Sequence, residues 1–185
     1  MKNVVSLFVF LAFFSTSMSA QKVIPLDKSQ MDMSYFPFNF AHDRKPGDKA
    51  IIRVIYSRPG KKEREIFGKL IPFDKVWRAG ANESTEIKFY QDVTIQGKQI
   101  KAGSYALFTI PNENEWTIIL NSDLDFWGAF SYKEADDVFR FKVPVKKAES
   151  MAENFTIEFK KTDDNNAVMQ LVWDTTLVEL PISIH

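Results

Sequence analysis

Short stretches in which apolar and polar residues alternate recur through most of this chain, and that period of two constrains the fold more than any other feature. In residues 155–160, Phe155, Ile157 and Phe159 alternate with Thr156, Glu158 and Lys160. The same grammar runs through residues 86–90, 138–143, 167–173 and 176–180. An alternating strand has one face for a core and one for water, so many of them at short spacing require sheets packed face to face. Residues 50–56 are rich in β-branched side chains, and residues 103–110 and 116–120, separated by a polar turn, read as two antiparallel neighbours. The turn signals fit: Pro59 and Gly60 close the first strong strand, Gln96, Gly97 and Lys98 make a tight hairpin between residues 93–95 and 99–100, and Pro111 ends residues 103–110. The expectation is an all-β fold, a single-domain antiparallel β-sandwich of roughly eight or more strands. Helical periodicity is confined to one turn at residues 132–137 and another before Trp77.

The N-terminus reads as a secretory signal. Lys2 precedes an apolar run over residues 4–14, and small and polar residues lead to Ala20, after which cleavage is expected. The run is about half the length of a membrane-spanning helix, and no later segment is long enough to span. Residues 1–20 are therefore assigned to the signal and 21–185 to one domain. The chain has no cysteine, which excludes disulfide scaffolds, thiol nucleophiles, cysteine-bound zinc and a lipoprotein anchor. An exported, periplasmic or secreted, cysteine-free chain must rely on its core, and 45% apolar and 14% aromatic residues supply one. With 24 basic and 24 acidic residues there is no electrostatic footprint for nucleic acid.

The densest chemistry lies in residues 77–85, where Trp77, Arg78, Asn82 and Glu83 surround Gly80 between two strands. Arg58 and Arg64 stand in the two loops before it. Guanidinium forks recognise carboxylates, phosphates and sugar hydroxyls because they are planar, always charged and bidentate. Convergence of Arg58, Arg64 and Arg78 makes a ligand site; separate bonds to nearby carboxylates and carbonyls make them scaffold. Trp77, beside a glycine turn, is expected to be the better platform for a sugar ring, whereas Trp116 begins an alternating strand and points inward. Glu83 with Asn82 as an orienter resembles a weak acid/base pair, but a glycosidase needs a second carboxylate across the bond, and the sequence nominates none. The two histidines, His42 and His185, lack any spaced partner, so neither a metal site nor a serine triad is indicated, and no cofactor is implied. Residues 163–166, rich in Asp and Asn, lack the alternation of a calcium loop and read as a turn. Asn82 and Asn154 each open a glycosylation sequon.

Taken together, Tyr56, Ser57, Arg58 and Pro59; Arg64 with Ile66, Phe67 and Gly68; Leu70, Ile71 and Pro72; Val76, Trp77 and Arg78 with Gly80, Ala81, Asn82, Glu83 and Thr85; and Ala102, Gly103, Tyr105 and residues 108–111 form a recognisable pattern. It resembles the exported bacterial domain-of-unknown-function family twenty-nine-eleven (DUF2911). The likeness covers nearly the whole mature chain. Phe73 and Asp74 stand where tyrosine and glycine are expected, Ala79 where threonine is usual and Ser84 where alanine is usual. The resemblance implies an exported, mostly-β domain of Gram-negative bacteria with a shared polar motif, and carries over no catalytic residue, cofactor or substrate. Three functions follow from the residues: a binding module whose Arg58, Arg64, Trp77, Arg78, Asn82 and Glu83 hold a small polar, anionic or glycan ligand; a hydrolase or lyase working through Glu83; or a partner-binding domain in which the arginines and Glu83 form a buried ion network.

Overall fold

The computed structural model describes residues 23–185, so residues 1–20, read above as a signal, lie outside the described residues. Nine strands form one antiparallel sheet: β1 (Met31–Phe36), β2 (Ile52–Ser57), β3 (Thr85–Phe89), β4 (Val93–Ile95), β5 (Lys98–Ile100), β6 (Gly103–Ile110), β7 (Glu115–Asn121), β8 (Asp137–Asp163) and β9 (Asn166–Ile184). Their spatial order is β1-β2-β3-β6-β7-β8-β9-β4-β5, without closure into a barrel. A helix, α1 (Phe40–Asp43), and a 3-10 turn at Glu134–Asp136 are the helical elements among the described residues. None of these is long and apolar enough to cross a membrane.

The sheet folds over on itself because β8 and β9 are long and bent. The first part of β8 pairs with β7, and its last part pairs with the first part of β9. Register shifts between Lys147 and Ala152 and between Ala152 and Thr156 break the ladder, and such bulges bend a strand and increase its twist. Residues 138–143 and 155–160, which read as two strands, are thus the two ends of one. Residues 167–173 and 176–180 are likewise fused in β9, with Asp174 at a left-handed φ of 55° between them. The turn at residues 163–166 is as expected: the Asn165 N–H donates to the Asp163 carboxylate at 2.9 Å. The hairpin joining β4 to β5 has positive φ at both Gln96 and Gly97, the mirror-image turn that matches strand twist.

Folding over brings β1 and β2 opposite the last part of β8. Phe36 meets Phe159, and Tyr56 meets Phe155 edge-on at 5.9 Å. The Tyr56 hydroxyl crosses the layers to donate to the Ile157 carbonyl at 3.2 Å. Inward positions of both layers, among them Ile52, Val54, Ile87, Trp116, Ile157, Leu171 and Trp173, form one dry core. A smaller cluster, Ala106, Phe108 and Ile119, covers the opposite face of β6 and β7 beneath Leu124, Phe126 and Tyr132. That second cover explains why β6 is continuously apolar instead of alternating. The covering loop is held by Asp137, which accepts from Tyr132 Oη at 2.6 Å, Arg140 Nε at 2.7 Å and Asn121 Nδ2 at 2.8 Å.

Candidate functional site

Residues 77–85 form a loop held in shape by its backbone and by the side chains of Trp77 and Thr85. Trp77 exchanges two backbone hydrogen bonds with Thr109 of β6, at 2.7 and 2.8 Å. The Trp77 indole Nε1 donates to the Gly80 carbonyl at 3.1 Å, and Thr85 Oγ1 donates to the Ala79 carbonyl at 2.6 Å, both buried. Gly80 is required by close approach, since a Cβ there would stand 3.0 Å from the Ser57 carbonyl oxygen. Ala79 and Asn82 adopt left-handed φ values of 52° and 58°, conformations that cost a non-glycine residue about 1–2 kcal/mol each and persist only where the surroundings impose them.

This geometry corrects the expectation for Trp77. Its indole is 4% exposed, stacked on Trp173 at 6.0 Å and boxed by Phe67, Trp116 and Phe155. No face is left for a sugar ring. Trp77 is an anchor that seats the loop in the core, while Trp116 points inward as its strand parity indicates.

Arg78, the next residue, points the other way. It lines a cleft of about 330 Å³ whose charged walls are Lys62, Arg64 and Arg78, with edges of Trp77 and Trp173 at its base and no carboxylate among its lining residues. Arg78 is half-buried, its Nε is shielded from solvent with no hydrogen-bond partner, and burial pushes its pKa down. No ion pair reaches it among the described residues, and residues 1–22 contain neither Asp nor Glu. Arg64 is pre-set beside it by Nε donating to the Lys61 carbonyl at 2.9 Å and by Nη2 donating to the Gly60 carbonyl. The loop that carries Arg64 is clamped by Lys61, whose Nζ pairs with Asp174 at 3.0 Å. Lys62 and Trp173 belong to this cleft and were not foreseen. The adjacent lysines after Pro59 and Gly60 carried a signal for the first; nothing local marks the second, which reads as core.

The remaining expected residues go elsewhere. Arg58 is spent on scaffold: Nη1 pairs with Asp32 of β1 at 2.8 Å, Nε donates to the Phe155 carbonyl at 3.2 Å and Nη2 to Thr156 Oγ1 at 2.8 Å. The Asn82 carbonyl accepts the Gly128 N–H at 2.8 Å. Asp27 is held below the usual carboxylate range by the Ser29 N–H and then by the Asn82 side chain, which ties the segment before β1 to the loop. Glu83 is exposed and lines a different cleft, of about 230 Å³, together with Glu86 and Asp125. Arg78 and Glu83 therefore do not assemble an acid/base with an adjacent charge stabiliser. Nor do the arginines and Glu83 make a buried ion network, because Arg58 pairs with Asp32, Arg64 with backbone carbonyls and Arg78 with none of them. Among the described residues no group of three or more His, Asp or Glu is arranged to hold a metal ion.

Among known families, the one described as "Protein of unknown function (DUF2911)" matches residues 41–182. No curated protein and no solved structure matches the chain.

Proposed function

The chain belongs to the family of unknown function DUF2911, and from that premise we propose that it is an exported binding module, periplasmic or secreted, that holds a small anionic ligand in the cleft of Lys62, Arg64 and Arg78. The ligand class is a carboxylated fragment of the cell envelope, a sugar acid or an acidic peptide. Export rests on the basic residue, apolar run and small-residue cleavage region at the N-terminus. The observation that carries the binding reading is Arg78, a half-buried guanidinium without a bonding partner in a cleft whose charged lining residues are all cations. With no ion pair or hydrogen bond among the described residues, the terminal nitrogens of Arg78 are free to donate to an anion that enters the cleft. A charge-assisted bond to a carboxylate contributes about 1.5–3 kcal/mol, or roughly tenfold to 150-fold in affinity. The cleft volume of about 330 Å³ is at the small end of ligand pockets and suits one sugar acid or a short peptide terminus.

The test is a thermal-shift screen of the mature protein against uronic acids, muropeptides, dicarboxylates and inorganic phosphate, with the corresponding neutral sugars as controls. An acid should raise the wild-type melting point, and Arg78→Met should remove the shift. The proposal fails when no anion shifts the wild type, or when the shift survives in Arg78→Met.

A further inference from the structure

A second cleft beside the same loop has the opposite electrostatics, and an exposed aromatic stack stands on the neighbouring segment, bridged to it through Glu83. Trp127 and Phe130 are 63% and 83% exposed, yet their rings are stacked at 5.8 Å and 10° from parallel. The stack is built into the chain. Gly128 lies under it at φ 75°, and a Cβ there would stand 2.7 Å from the Phe130 ring. The segment that carries it is docked on the motif loop: the Ser84 N–H donates to the Phe126 carbonyl and the Gly128 N–H to the Asn82 carbonyl, both at 2.8 Å. Trp127 and Glu83 form an isolated antiparallel bridge. Residues directly opposite in such a bridge project from the same face, with Cβ atoms about 5 Å apart. An exposed carboxylate thus stands next to an exposed aromatic plane.

Around the adjoining cleft Glu83, Glu86 and Asp125 contribute three carboxylates, and no lysine or arginine lines it. Glu86 is engaged by Arg53 at 3.4 Å and by Ser104 Oγ at 3.0 Å. Glu83 and Asp125 meet no cation within salt-bridge distance among the described residues. An apolar plane beside unpaired negative charge is complementary to a cation, which gains both Coulomb attraction and the negative face of the indole. The same charge repels anionic lipid and acidic protein surfaces. The carboxylates border a cleft of only about 230 Å³, below the usual range for drug-sized ligands, so a ligand that reaches from the stack to Glu83 and Asp125 is small.

We infer that Trp127, Phe130, Glu83 and Asp125 form a second binding site, for a free small molecule that carries an ammonium group on a short apolar skeleton. The site is separate from the basic cleft and does not depend on the anion-binding proposal.

Choline is the probe, and 3,3-dimethylbutan-1-ol is its neutral isostere. Trp127 is the reporter, since Trp77, Trp116 and Trp173 are all buried. Tryptophan emission and ligand-observed NMR are followed on the full mature chain, with cellobiose and phosphatidylcholine vesicles as parallel arms. Choline should bind saturably, and the isostere about tenfold more weakly. Trp127→Ala should abolish the broadening of the choline signal, and Glu83→Gln with Asp125→Asn should weaken it in proportion to the charge removed. Equal binding of choline and the isostere would overturn the inference in favour of a plain apolar patch. Cellobiose binding without choline binding, or association with vesicles but not with free choline, would overturn it in favour of a saccharide or a lipid surface. No response to choline at all would remove the site.

Discussion

Replacing Arg78 by methionine should make the ligand-free protein more stable, although Arg78 sits in the motif that most marks this chain. Its Nε is shielded without a partner and its guanidinium is half desolvated. An unsatisfied buried donor costs about 1–3 kcal/mol. Because the far end of the guanidinium opens into the cleft, the lower end of that range applies. Methionine keeps a flexible apolar stem against the cleft wall and removes the charge. The net gain is about 1 kcal/mol, or about 2–4 °C in melting temperature for a chain of this size. Arg58→Met provides the contrast: it breaks the 2.8 Å pair with Asp32 and the bonds to Phe155 and Thr156, and should lose about 1–3 kcal/mol. Urea unfolding and calorimetry of both variants without ligand measure the difference. The reasoning is refuted when Arg78→Met is destabilised as much as Arg58→Met, for then the guanidinium holds the fold together.

Trp77→Ala should cost about 3–5 kcal/mol, the range for emptying a buried aromatic site, seen as a lower urea midpoint; a change within 1 kcal/mol would contradict the anchoring role. Gly80→Ala forces a methyl against the Ser57 carbonyl at 3.0 Å, backbone that cannot swing aside, and should lose about 1–3 kcal/mol in the same assay. Tyr132 has a pKa pushed up to about 12, first by burial and then by the Asp137 carboxylate that its hydroxyl donates to. A raised folded-state pKa means that this stabilisation is complete below about pH 10, where the unfolded tyrosine is still protonated, and is lost as pH rises through the folded value. Phenolate absorbance should show a component near pH 12 that disappears in Tyr132→Phe; titration of that component near pH 10 would contradict the burial and the bond.

Much of the fold was legible because alternation reports directly on half-buried strands. Residues 155–160 and 167–173 are strands for the reason their pattern gives. The fusion of β8 was hidden because the polar residues 146–154 look like a break, whereas the chain runs through them in extended, bulged form. Strand β1 was missed for a related reason. In residues 31–36 only Phe36 is fully buried, and its place comes from pairing with β2, a long-range fact absent from local pattern.

The same missing strand explains the error over Arg58, whose partner Asp32 lies on β1. Arg64 and Arg78 line one cleft, and Arg58 does not join them. Trp77 was misjudged because proximity to a glycine turn does not reveal which way the loop folds. Here Ala79 and Asn82 turn the backbone left-handed and bury the indole while Arg78 faces out. Glu83 lies only five residues beyond Arg78, but that turn carries it to a different cleft.

The most direct test of the central claim is to observe the Arg78 guanidinium N–H groups themselves. The chain has six arginines, and ¹⁵N-labelled protein with Arg78→Met as the assignment control identifies the Arg78 side-chain signals. Without ligand, the terminal Nη–H groups should give no sign of a strong acceptor. On addition of an anion that raises the melting point, they should shift downfield and exchange more slowly with water. Nη signals already shifted and protected in the free protein, or unmoved by every stabilising anion, would contradict the account.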